Sequence, residues 1–453
     1  MDTLYAEQIE LILTRPRGIK ALLFDTEATK QIVSNSVAYK KLLDSNYFYF
    51  DYLTNSKRSK ININAVVMLS NTNLKLLINE LVDPCYSSYT ILFKNAIDPF
   101  ALEILASADR NGVVAEVFEL NMTAVKVDEY LYTVELEEFS AVLDTLDVQP
   151  SVYAMRTFDC SSFKNTTHDK PGKVLLLDRN FDLITPLISD WCYQGAISQY
   201  MPYNNSQVTV DKKSFALNDD FFQTNKFNDI EKVGENIRLL VKELEKKRYN
   251  ISNYQFDDIE GATVQSKVVD THMALFKKVL DASMRNHELG ESEIKATKGE
   301  SIDYSIFQDK SRDFMKLKLL ESIKSGSRVD GMDKDTYEAF LKISNPIPFG
   351  YKPSFADKPE LLAYESPIKR ILRHFVRHKL HSGSFIKIES NSKDHNDKMH
   401  IIYVRGGLTY REYRDVMEQA SELDTMVYLF TDKIINCATV MQEIESEAKQ
   451  NKK

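Results

Sequence analysis

Along the first 135 residues, short apolar runs alternate with segments of helical period. Lys20–Asp25, Tyr47–Asp51, Ala65–Leu69, Thr90–Phe93 and Val113–Glu119 read as strands. Gln31–Leu43, Leu74–Leu81 and Phe100–Ala108 read as helices, and in the last of these Leu102, Leu105 and Ala106 take the i, i+3 and i+4 positions. Strands that are apolar throughout, bounded by Asp, Asn, Pro or Gly, belong to a parallel sheet covered on both faces. The pattern therefore predicts a small doubly wound α/β domain.

The alternation then stops and restarts. Lys173 opens another buried-strand run, but after Tyr203 the pattern is helical and charged for about 180 residues. Strand signals return at His400–Val404 and Met426–Phe430, followed by a closing helix at Ala438–Lys449. Such a layout predicts one α/β domain interrupted by a mostly helical insertion. The expected division is 1–134 for a first domain, 135–203 with 385–453 for a discontinuous second, and 204–384 for a helical third. Within the insertion, Val233, Ile237, Leu240, Val241 and Leu244 form one apolar stripe. Val264, Val268, Leu275 and Val279 form a second near heptad spacing, flanked by Phe276 and Leu280. Gly261, after Asp257, Asp258 and Glu260, reads as a turn, so the pair is expected as a helical hairpin. Its apolar edge either packs on its own domain or receives a partner helix.

Four polar stretches are candidates for chemistry. The turn after the first strand, "FDTEATKQ", has no glycine, and Asp25 and Glu27 would repel a phosphate, so the scaffold is read as lacking a nucleotide site. "LLLDRNFDLITP" brings Asp178, Arg179 and Asp182 to a strand end before Pro186. Paired carboxylates serve acid–base catalysis, but no substrate-orienting set flanks them, and a structural ion-pair cluster is the favoured reading. "RHFVRHKLH" sets His374, His378 and His381 on one expected helical face. Arg373, Arg377 and Lys379 surround them, which favours a basic helix over a metal site. Gly406 and Gly407 in "YVRGGLTYREY" are half of a phosphate-binding pattern, read as a tight strand-to-helix turn.

Composition narrows the class. With 453 residues, 43% apolar and 27% charged, the chain has material for several cores. A net charge of −8 argues against binding nucleic acid through the overall field. Cys85, Cys160, Cys192 and Cys437 are widely spaced with no C-x-x-C pair, as in a reducing compartment. The N-terminus carries acids where a signal peptide needs basic residues, and no apolar run approaches the roughly 20 residues of a membrane span. A cytoplasmic chain that reaches a membrane only through a partner is expected.

The run "LLLDRNFDLITPLISDWCYQ" resembles the central signature of the SM (Sec/Munc) family of SNARE regulators. "GIKALLFDTEATKQIVS" is similar to that family's first strand and turn, and "YVRGGLTYREYRDV" to its late glycine-pair element, with Arg405 where an apolar residue is usual. "ALEILASADRNGVVAEV" and "ESPIKRILRHFVRHKL" lean toward the endosomal vacuolar-protein-sorting forty-five branch, as a compact member with a shortened insert. The resemblance implies a three-domain arch with no catalytic centre, cofactor or metal. It implies a monomer that grips a syntaxin-type (Qa) SNARE and the assembled SNARE complex, works with a vesicle tethering factor, and associates peripherally with Golgi and endosomal membranes. Carried over residue by residue, it places Lys30, Ser34 and Asp51 on the cavity side of the first domain, with Val264, Lys267, Val268, Thr271 and Leu275 facing them from the insert. Leu102, Leu105, Val114 and Glu119 would form the pocket for the SNARE's N-terminal peptide, although Leu105 and Val114 also suit a core. A nucleotide- or sugar-phosphate-handling α/β enzyme is the alternative, motivated by the first domain and the glycine pair.

Overall fold

A computed structural model describes residues 6–54, 59–70, 73–120, 124–146, 148–161, 163, 170–204, 206–251, 256–307, 311–347, 349–388 and 399–451. They form two compact units: Met1–Val125 with Val134–Gln149 and Ser161–Lys170, and Lys126–Thr133 with Pro150–Cys160 and Pro171–Lys453.

The first unit is built on β1 (Lys20–Phe24), β2 (Tyr47–Tyr52), β3 (Ile61–Leu69), β4 (Tyr86–Phe93) and β5 (Val114–Glu119), in the order β2-β1-β3-β4-β5. Every pairing is parallel. Alternate residues of each strand feed opposite faces. Ala21, Leu23, Val67 and Ile91 enter one core, whereas Leu22, Phe24, Val66 and Leu92 enter the other. Two covered faces explain why these strands read as continuous apolar runs. The helix expected over Gln31–Leu43 is two helices, Glu27–Ser36 and Tyr39–Asp44. Val37 takes an extended backbone between them and buries its side chain with Val33 and Leu42.

The second unit collects β6 (Val125–Asp128), β7 (Leu131–Thr133), β8 (Val148–Met155) and β9 (Lys170–Asp178). The stretch after Tyr203 is not purely helical. It begins with β10 (Tyr203–Asn204), β11 (Gln207–Val210) and β12 (Lys213–Ala216), a small antiparallel sheet whose Val208 and Val210 join the core under the hairpin. A second pair, β13 (Ser354–Phe355) and β14 (Tyr364–Glu365), is antiparallel too. The chain then returns to the main sheet with β15 (Phe385–Ile388), β16 (Met399–Arg405) and β17 (Met426–Thr431). That sheet runs β15-β8-β9-β16-β17-β7-β6, with β9, β16, β17 and β7 parallel. The strands on either side of the intervening segment are therefore direct neighbours.

Two local expectations are corrected. Gly261 is not a turn but part of the helix Phe256–Arg285, which packs on the helix Ile230–Ile251. No atom lies within 4 Å of where its Cβ would be, so this glycine weakens the helix by about 1 kcal/mol without meeting a steric need. The three histidines do not share a helical face either. The helix Pro367–Val376 ends before His378, whose φ of 54° turns the chain away.

Candidate functional site

The parallel register of β9 and β16 sets Asp178 beside Arg405, and the two side chains form an ion pair, with the guanidinium 4.4 Å over the Phe158 ring. The next residue reaches further. Arg179 Nη1 and Nη2 donate to Oε2 and Oε1 of Glu412 at 2.9 and 2.7 Å. The same two nitrogens donate to the carbonyls of Gly407 at 3.1 Å and Asp182 at 2.9 Å. A planar guanidinium matches a carboxylate in this two-pronged way, which fixes direction as well as distance. Burial works against the Arg179 cation, but Glu412 outweighs it, and the Arg179 pKa is raised.

Glu412 belongs to a second device. Thr409 caps the helix Tyr410–Glu422 in a capping box: its Oγ1 accepts from the Glu412 N–H, and its own N–H donates to Oε2 of Glu412 at 2.9 Å. One carboxylate thus both closes the helix N-terminus and receives Arg179. Asp182 turns inward on its own loop, accepting from the N–H groups of Ile184 and Thr185 at 3.0 and 3.1 Å and from the Thr185 hydroxyl. Burial raises the Asp182 pKa, with Arg179 opposing. Thr185 Oγ1 lies 2.8 Å from the Tyr364 hydroxyl, and Pro186 is buried in the same turn.

The glycine pair makes this closure sterically possible. Gly406 and Gly407 have φ of 91° and 110°, in the left-handed range. A Cβ on Gly406 would lie 2.7 Å from Cβ of Arg179, and one on Gly407 would lie 2.5 Å from Cγ2 of Ile435. The Gly406 N–H, which a phosphate would need, donates instead to both oxygens of Asp432 at 3.0 and 2.9 Å. At the corresponding turn of the first unit, Asp25 accepts from the Ser70 N–H at 3.0 Å and Asn73 Nδ2 at 2.9 Å, and Thr26 caps its helix. Both strand-end acids bind protein groups.

Several members of the ion-pair cluster were missed from sequence. Arg411, Glu412, Arg414 and Asp415 are all buried, and Asp415 accepts from the Ser366 N–H at 2.7 Å. Glu293 is fully buried against the Ser189 N–H (2.7 Å) and Lys316. For Glu412 the signal was present: Thr409-x-x-Glu412 is a capping-box spacing. For Glu293 and Lys316, in separate helices, no local pattern announces the pairing.

The residues assigned to partner binding fall as follows. Lys30 and Ser34 lie one turn apart on the helix Glu27–Ser36; Lys30 pairs with Glu27 at 3.3 Å and sits 5.6 Å over the ring of Tyr52, the neighbour of exposed Asp51. Near Asp51, the edge strand β2 also exposes Phe48, Tyr49 and Phe50. Leu102, Leu105 and Val114 all touch one core, and Glu119 accepts from the Ile97 N–H at 2.9 Å. Leu105 is only 5% exposed, so its side chain is a core residue and not pocket lining. Phe100 and Ile104 on the same helix, and Val117 on β5, are the apolar side chains left exposed, and none of them was named from sequence.

On the helix Phe256–Arg285 the expected stripe divides. Leu275 and Val279 are fully buried with Val233 and Ile237, which removes Leu275 from the contact surface. Val264 and Lys267 are exposed, and Val268 and Thr271 are half-buried. Val269 and His272 take the inner positions instead. His272 is buried, with Nδ1 2.9 Å from the Tyr193 hydroxyl and Nε2 3.1 Å from Asp219. Among the described residues no group of acids, cysteines and histidines is arranged to hold a metal ion, and no helix is long and apolar enough to cross a membrane.

A five-stranded parallel sheet in one unit, and in the other a sheet resumed after a long insertion and tied by Arg179 to Glu412, make this an α/β protein. The Sec1 family model matches residues 148–443, and the chain belongs to that family. Among characterised relatives it is similar to vacuolar protein sorting-associated protein 45. It is 28% identical to the Mus musculus protein over 279 residues, which covers 51% of this chain and 49% of that one. For the Dictyostelium discoideum protein the figures are 27% over 304 residues, 56% of this chain and 54% of that one. The chain thus spans about half the length of the curated relatives it matches. In fold, it is similar to the SM protein Vps45 in complex with the Qa SNARE Tlg2, with a TM-score of 0.78 at 19% identity over 99% of this chain and 98% of that one. Sly1p in complex with an N-terminal peptide of Sed5p gives 0.81 at 15% identity over 100% and 99%.

Proposed function

We propose that the chain is a non-enzymatic scaffold that binds a syntaxin-type SNARE and templates SNARE assembly during vesicle fusion. The observation that carries the reading is a contrast inside the second unit. The strand-end polar groups are spent on one another, Arg179 on Glu412 and Gly406 on Asp432, whereas Val264 and Met273 on the hairpin's second helix remain 57% and 51% exposed. Exposed apolar side chains on a rigid helix suit a protein partner more than a small substrate. A SNARE segment loses roughly 1–2 kcal/mol of backbone entropy per residue on zippering, so a rigid template that orders it beforehand lowers the barrier.

On this reading Lys30, Ser34 and Asp51 of the first unit, and Val264, Lys267, Val268 and Thr271 of the second, contact the SNARE. Leu102, Val114 and Glu119 border the site of its N-terminal peptide. The three-domain division, with 204–384 as the SNARE-facing insert, belongs to the same proposal. So does peripheral association with Golgi and endosomal membranes through the SNARE, in concert with a tether. The test is binding of the purified chain to the cytoplasmic region of a syntaxin-type SNARE, by sedimentation and calorimetry. A stoichiometric complex weakened at least tenfold by Val264→Asp with Lys267→Glu is expected; absence of any complex with Qa SNAREs overturns the reading.

A further inference from the structure

Charge is distributed unevenly around the helix Pro367–Val376. From Ser366 to Ile388 the chain carries six Lys and Arg and no Asp or Glu, although its net charge is −8. Ile368, Ile371, Leu372 and Phe375 bury one side of the helix. Arg370, Arg373 and Arg377 recur at three- and four-residue spacing and share the opposite, exposed side, and exposed Lys379 follows beyond the helix end.

The nearby acids are already committed. Glu365 and Glu418 take Lys369 at 2.7 and 3.2 Å, and Glu422 lies 3.6 Å from Arg373. Among the described residues no carboxylate pairs with Arg370, Arg377 or Lys379, and Arg370 meets the ring of Tyr351 at 6.0 Å instead. Arg156, just past β8, adds its charge by donating through Nε and Nη2 to the Ser382 carbonyl at 3.0 and 2.9 Å. The helix dipole favours Arg373 in the last turn, but it fades before Arg370. Like charges at helical spacing repel, and nothing in the described chain offsets them.

We propose that this face binds an anionic lipid surface directly, with Arg370, Arg373, Arg377 and Lys379 among the headgroups. A row of cations on a convex helix suits a layer of headgroups more than one small anion, which needs donors converging from several sides. The acidic remainder of the chain does not oppose the contact, because charges more than about 8 Å from the bilayer are largely screened. The choice of a bilayer over another polyanion rests on the SNARE reading, which brings the chain to a membrane. The contact itself uses none of the residues assigned to the SNARE.

The test is flotation of the full chain with protein-free vesicles of phosphatidylcholine, or of phosphatidylcholine with about one lipid in five replaced by phosphatidylserine. At least tenfold stronger binding to the anionic vesicles is expected, weakening as salt is raised. Each cation near an anionic surface is worth about fivefold, so Arg370→Glu/Arg377→Glu/Lys379→Glu should lose at least tenfold. Arg370→Lys/Arg377→Lys should bind as the parent does. Should the triple variant melt early, Arg377→Gln/Lys379→Gln, both outside the helix, replaces it with a several-fold loss expected. No binding to anionic vesicles, equal binding to neutral ones, or an unaffected triple variant overturns the proposal. Displacement of the vesicles by a charge-matched RNA duplex or by inositol hexakisphosphate overturns it in favour of a soluble polyanion. SNARE binding by the triple variant in solution is expected unchanged, and its loss would overturn the proposal by making the patch part of the SNARE site. Failure on vesicles with the SNARE complex intact refutes this proposal alone, whereas salt-sensitive vesicle binding without any SNARE complex supports it and refutes the SNARE reading.

Discussion

At the end of β9, Arg179 keeps 14% of its side chain exposed and Glu412 keeps none, whereas on the hairpin Val264 keeps 57% and Met284 70%. One region takes charge out of water, and the other leaves apolar groups in it. Each choice costs free energy when the region is considered alone. Buried charges lose hydration and recover it only through good geometry, which the two-pronged pair and the capping box supply. The hairpin's exposed side chains recover nothing within the described chain. The first region is explained by folding, and the second is the surface that the proposed partner would cover.

The largest expected effect comes from breaking the clasp. Arg179→Ala leaves Glu412 buried with its strongest cation gone, which should destabilise the fold by about 3–5 kcal/mol, read from denaturant unfolding. Replacing both residues with apolar side chains of similar volume should cost far less, because no charge is stranded. If Arg179→Ala leaves stability unchanged but abolishes partner binding, the contrast fails and the cluster is itself the site. Gly406→Ala should follow, at about 1–3 kcal/mol, since a Cβ there must adopt a φ of 91° and press on Arg179.

The two regions were also unequally legible. The strands of the first unit are readable because each is buried on both faces and bounded by polar residues. The glycine pair and "LLLDRNFD" were visible as separate motifs, but their meeting was not. β9 and β16 are neighbours only across more than two hundred residues, so the Arg179–Glu412 contact is set by sheet register and not by local spacing. On the hairpin, heptad spacing placed Leu275 and Val279 correctly in a stripe but could not say which side of the helix met a neighbour. Packing against the helix Ile230–Ile251 drew Val269 inward, and Tyr193, Phe221 and Phe222 enclose His272, while Val264 stays out. Gly234 and Gly290 carry no local signal, because a Cβ there would press on the rings of Phe276 and Trp191, at 2.8 and 2.3 Å.

A smaller effect sharpens the other side of the contrast. Val264→Asp with Lys267→Glu should change stability by less than about 0.5 kcal/mol, since both side chains already face solvent. The same pair should weaken SNARE binding at least tenfold, or about 1.4 kcal/mol. Loss of stability in step with binding would mean that this face belongs to the core after all.

The smallest effect concerns pH. The His374 pKa is lowered, first by partial burial and then by Arg370, Arg373, Lys379 and Arg377 around it. Its Nδ1 lies 3.0 Å from the Tyr351 hydroxyl. A depressed value means that the unfolded chain takes the proton more readily than the folded one. Above the ordinary histidine range both states are neutral and the contribution to stability is complete. As pH falls below about 6.5, the unfolded state gains and stability declines, until pH passes beneath the folded value. His374→Gln should flatten that part of the stability curve while leaving the plateau at higher pH in place. A slope that survives the substitution would overturn the assignment of this pH response to His374.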